Sequence, residues 1–155
     1  MALNFDFYGV ARELKNMLQR DKDLAAILNH RSKEILINEF ANEEPNLAPW
    51  CGVYCNSANI NPNTLPRGWK AQPLRVTVLL QASNMKSSEA CFETLQQMVS
   101  AALDVITARN TLNGKVAMLT SIDLSYTYIQ SERESLYFQA AIIELEYELT
   151  GTART

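Results

Sequence analysis

The sequence predicts an α+β fold: a mainly antiparallel sheet of four to five strands, with a long helix packed on one face and a further helix at the N-terminus. Three observations carry this. Apolar residues recur at helical spacing near the start and again between 88 and 109. They alternate at strand spacing over 74–80, 122–128 and 143–149. The strands come in runs around one helix, an order that segregates helices to one sheet face. With 155 residues the chain reads as a single domain over 1–155, able to bury roughly two-thirds of its unfolded surface without staples.

Taken in order, Phe7, Val10, Ala11, Leu14, Met17 and Leu18 lie on one helical face, and Asp6 stands where an N-cap belongs. A second short turn follows at Asp23–Leu28. Ile35 and Ile37 alternate with Leu36 and Asn38, a pattern for a short strand, with a helix as the alternative. All five prolines fall between Pro45 and Pro73, a stretch also rich in asparagine. Proline removes a donor and asparagine tolerates turns, so this stretch reads as interrupted structure around a strand at Trp50–Cys55. Residues 56–70 (NSANINPNTLPRGWK) read as one extended Pro/Asn-rich loop, near the upper length for an unstructured connection.

Leu74, Val76, Val78 and Leu80 then form one face of a clear strand, while Arg75 and Thr77 make the other at least partly wet. Ser87 and Glu89 supply a capping hydroxyl and a first-turn acid for the longest helix. Its buried stripe is Cys91, Leu95, Met98, Val99, Ala102, Leu103 and Ile106, and Asn110–Gly114 stops it. Ile122, Leu124, Tyr126 and Tyr128 alternate with polar residues, and Gln130–Ser135 is a polar turn. The last strand runs over Leu136–Leu149. Its first part keeps apolar residues on both faces, including Phe138, Ala140 and Ile142, and should be the more deeply buried or contacted.

Charge is nearly balanced, with 14 Lys+Arg against 17 Asp+Glu for a net −3. Phosphate binding needs clustered cations, so a nucleic-acid binder with a basic face is not expected. No run of ~18 apolar residues is present, and the N-terminus lacks a basic start followed by an apolar run; neither a membrane span nor a signal peptide is expected. The three cysteines fit reduced thiols of a cytoplasm. Strand spacing would hold Cys51 and Cys55 about 13 Å apart, beyond disulfide reach.

The search for chemistry is nearly empty. His30 is the sole histidine, and it has neither a nucleophile signature nor enough soft ligands around it for zinc. The five glycines are scattered, with no phosphate-cradling motif. The sequence therefore predicts no enzyme, no cofactor and no metal. Two groups remain. Glu144, Glu146 and Glu148 share one strand face about 7 Å apart, either as a solvated surface or as an acidic stripe facing a channel. Trp50, Tyr54, Arg67, Trp69 and Lys70 are candidate partner contacts, since Trp, Tyr and Arg dominate interface energetics. The alternative for the aromatics is core packing.

In order and size, the elements resemble the tail-terminator (tail-completion) proteins of long-tailed bacteriophages over nearly the whole chain. The residues that carry it are Pro49-Trp50-Cys51-Gly52-Val53-Tyr54, Leu74-Arg75-Val76-Thr77-Val78-Leu79-Leu80, the helix from Ser88 to Arg109, and Leu136 to Tyr147. The resemblance implies a structural virion protein, assembled in the host cytoplasm and located in the tail or neck. It implies a homo-oligomeric ring, a hexamer, that caps the tail tube, ends its polymerisation and offers a docking face to a head or neck connector. DNA would only pass through, and the glutamate stripe would line the lumen. A neck or head-completion protein joining portal and tail is the alternative. A small ligand-binding or enzymatic domain with a pocket beside the 56–70 loop is a more distant one.

Overall fold

A computed structural model describes residues 5–28, 35–37, 49–62, 68–116, 118–130 and 137–152. Two helices open it, α1 (Phe7–Arg20) and α2 (Lys22–Leu28), followed by β1 (Leu36–Ile37), β2 (Trp50–Pro62) and β3 (Gly68–Asn84). The long helix α3 (Ser88–Ala108), a single 3₁₀ turn (Leu112–Gly114), β4 (Met118–Gln130) and β5 (Tyr137–Thr152) complete it. The strands form one sheet in the order β1-β2-β3-β5-β4. Among the described residues, only the two-residue β1 runs parallel to its neighbour and every other pair is antiparallel. This is the α+β arrangement that the periodicity predicts.

Local chemistry places the helix ends. The Gly9 N–H donates to Asp6 Oδ1 at 2.8 Å, and the Ala90 N–H donates to Ser87 Oγ at 3.0 Å. Each satisfies one of the donors that a helix N-terminus leaves open. The Leu24 N–H donates to Asp21 Oδ2 at 2.9 Å, so α2 begins with its own cap directly after α1. Beyond α3 the chain takes three successive positive φ angles at Leu112, Asn113 and Gly114, which end the right-handed α-helical path. Only the glycine adopts this region without steric cost.

The core lies between the helices and one sheet face. Val76, Val78 and Leu80 on β3 stand opposite Leu145, Ile143 and Ala141 on β5. All six are fully buried in one cluster with Leu14 and Leu18 of α1 and Leu95, Met98, Val99 and Ile106 of α3. The α3 stripe read from the sequence is thus the buried one, with Leu103 only half-buried. Cys91 lies beneath it, its Sγ 3.4 Å from the Ala82 carbonyl and 3.6 Å from that of Tyr137. None of the three cysteines is in a disulfide: Cys51 and Cys91 are buried and Cys55 half-buried.

One region departs from the sequence reading. Residues 56–70 do not form one loop: Asn56–Pro62 continues β2 and Gly68–Lys70 begins β3, so both belong to a hairpin arm. Ile60 pairs with Ala71, Asn61 with Lys70 and Pro62 with Trp69. The Pro/Asn composition is absorbed by register shifts between Cys55 and Ser57 and between Ala58 and Ile60 on β2. A third shift falls between Ala71 and Leu74 of β3, where Pro73 sits without interrupting a ladder bond. Strand β4 alternates as read from the sequence. Its apolar row Ile122, Leu124 and Tyr126 points to the helix side but lies at the sheet edge, so Leu124 stays 39% exposed.

Candidate assembly surface

The sheet face away from the helices has two halves. One is apolar. Trp50, Gln81 and Ala140 line up across β2, β3 and β5, and Gly52, Leu79 and Ile142 form the next row. Trp50, Gln81, Phe138 and Ala140 are all buried, although they lie outside the main core. This matches the expectation that the first part of β5 is buried on both faces. Trp50 is therefore packed and not available as a surface anchor. Its indole covers Gly52, two residues along the same face, where the missing side chain leaves room for the ring. Tyr54 is half-buried on this face, opposite Thr77. Thr77 itself is buried and accepts a hydrogen bond from Asn56 Nδ2, so the β3 face expected to be partly wet is dry at this point.

The other half is charged. Glu144, Glu146 and Glu148 do share one face, as the period-two spacing requires, but they do not form a bare acidic stripe. Arg75 Nε reaches Glu146 Oε1 at 3.4 Å, and Lys70 Nζ reaches Glu148 Oε1 at 3.5 Å. Both cations come from β3, the strand beside β5. Glu144 is exposed, with Thr77 and Asp123 as its neighbours across the two ladders. The local charge is thus two ion pairs with Glu144 and Asp123 as the excess. Such half-exposed pairs contribute at most about 1 kcal/mol each, and here they tie β3 to β5, the Lys70 pair at the arm and the Arg75 pair beyond it.

The arm is exposed chiefly on its β2 side. β2 is buried from Trp50 to Val53 and exposed from Asn59 to Pro62. Ile60 is 42% exposed, and Trp69, opposite both Pro62 and Gly151, is half-buried on the same side. Lys70 occupies the other side, tied to Glu148. Of the sequence candidates, Trp69 and Lys70 are thus brought together on the arm, whereas Trp50 and Tyr54 lie farther along the sheet. Arg67 lies outside the described residues, as do His30 and the 131–135 turn. The exposure of Ile60 was not anticipated; the alternation of Ala58, Ile60 and Pro62 is the signal that could have found it.

Among the described residues no group of three or more His, Cys, Asp or Glu side chains is placed to hold a metal ion. No described helix is long and apolar enough to cross a membrane. No family model matches the chain, and no curated protein matches it. Among solved structures, a chain from the virion of a native gene transfer agent particle is similar in path. It has 13% identity and a TM-score of 0.44, over 94% of this chain and 99% of that one.

Proposed function

We propose that this chain is a structural virion protein of the tail-terminator type. Copies close into a ring, a hexamer in the reading from resemblance, on the end of a tail tube. The ring halts tube growth and presents a face to a head or neck connector. The observation that carries this reading is the hairpin arm. It extends a stiff antiparallel ladder past the buried part of the sheet and exposes Ile60, Pro62 and part of Trp69 on one side. Partly exposed apolar side chains on a rigid paired element suit a protein partner better than a small ligand. The small negative excess on the helix-free face, where Arg75 and Lys70 offset two of the glutamates and Glu144 and Asp123 remain, suits a surface that passes DNA without gripping it.

The test combines native mass measurement with tube assembly. Purified protein should form a closed oligomer, alone or on tube ends, and adding it to polymerising tube protein should shorten the tubes. A chain that stays monomeric with tube protein present and leaves tube length unchanged would refute the reading.

A further inference from the structure

An open groove of about 720 Å³ runs between α2 and α3, outside the arm and the charged sheet face. Its apolar lining includes Ile27, Phe92 and Ala101, and Phe92 remains 36% exposed against the ring of Tyr126. Its rim carries Asp23, Glu89, Glu93 and Asp104 and no cation. All four acids are exposed, and none forms an ion pair among the described residues. The groove therefore offers an apolar floor under a negative rim.

The complementary shape occurs on the same chain. Tyr8, in the first turn of α1, is 64% exposed. Arg12 follows one helical turn later, and Lys115 lines the same small depression. Arg12 and Lys115 are exposed and without an ion-pair partner among the described residues. Asp6 and Glu13 also line that depression, so its charges balance overall; their carboxylates are turned to the Gly9 N–H and Asn113 Nδ2, which leaves Arg12 and Lys115 as the charges free to meet a partner. An exposed tyrosine beside an arginine is the composition of an interface anchor.

We propose that the α2/α3 groove is the socket for the Tyr8–Arg12 face of α1 from a second copy of this chain. Tyr8 seats on the apolar floor near Phe92, and Arg12 and Lys115 meet the acidic rim. A copy cannot fill its own socket, because α1 alone separates Tyr8 from the start of α2 by about 20 Å. Knob and socket are different patches, so the contact is head-to-tail, the kind that closes into rings when the rotation permits. This deepens the ring reading above and rests on it only for the number of copies.

Sedimentation velocity of the full chain tests the socket, with Arg12→Glu, Glu93→Arg and the double variant beside the parent. All these positions are exposed, so thermal melting should confirm an intact fold. Each single variant should weaken self-association roughly tenfold or more, and the double variant should recover most of it. Single variants that associate like the parent, a double variant worse than either, or a parent monomeric throughout would each overturn the socket. Tube capping is measured separately. A chain that associates through these residues yet leaves tubes uncapped removes the tail reading alone. A capping chain indifferent to both substitutions removes the socket alone.

Discussion

The Trp50 indole lies directly over Gly52, so close that a Cβ on the glycine would fall 2.4 Å from the ring. Gly52→Ala must therefore push a large buried side chain off its strand. Overpacking of this kind costs about 1–3 kcal/mol. Chemical denaturation should show a lowered midpoint with an unchanged slope, whereas a parent-like midpoint would mean the ring is free to move.

Leu95 is fully buried in the α3 stripe against the sheet. Leu95→Ala removes apolar volume from a site with little room to collapse, at a cost of about 2–4 kcal/mol. Thermal melting checks this, and Val99→Ala should move the melting temperature in the same direction by less.

Burial pushes the Cys51 thiol up to about 12 from an ordinary 9.0. Below pH 9 the thiol is protonated in both folded and unfolded chains, and its contribution to stability is fully present. Above pH 9 the unfolded chain loses the proton and the folded chain keeps it, so stability falls as pH rises toward 12. The slope approaches about 1.4 kcal/mol per pH unit for one such group. Tyr147 acts in the same direction at higher pH, since burial also raises its hydroxyl. Melting across pH 8–11 should show the decline, and Cys51→Ala should make it shallower without abolishing it.

Trp69 is half-buried on the arm, outside the main core cluster. Trp69→Ala should leave the melting temperature nearly intact while weakening ring formation or tube binding. Equal losses of folding and assembly would make it a packing residue.

Much of the fold is legible because local signals and tertiary packing agree. Asp6 and Ser87 cap the helices that their positions announce, and the α3 stripe from Cys91 to Ile106 is the one that meets the sheet. The 56–70 segment was misread because its asparagines and prolines speak for local conformation. Its strand state comes from pairing with residues 69–77 and, through β3, with β5. The glutamates of β5 show the same limit. Their spacing gives the shared face, but only the register between β3 and β5 brings Arg75 to Glu146 and Lys70 to Glu148. Trp50 looked like a surface anchor because nothing in its neighbours' polarity reveals that Gly52 leaves a seat for the ring.

The 17 residues of β3 form one strand from the arm into the core, with a single register shift against β5 between Ala71 and Leu74. At strand rise this is about 55 Å of backbone with no hinge loop between the exposed end and the residues beneath α3. Within the arm, outside the register shift between Ala71 and Leu74, side-chain direction has a period of two. Adding or removing residues in pairs, on both strands of the arm, would change its reach and keep Trp69 and Lys70 on their present sides. Removing a single residue from β3 just inside Lys70 would exchange those sides and bring Trp69 to the place of Lys70, beside Glu148. The arm thus has an even-numbered rule of variation, by which its length can be fitted to partners of different depth while the core beneath stays the same.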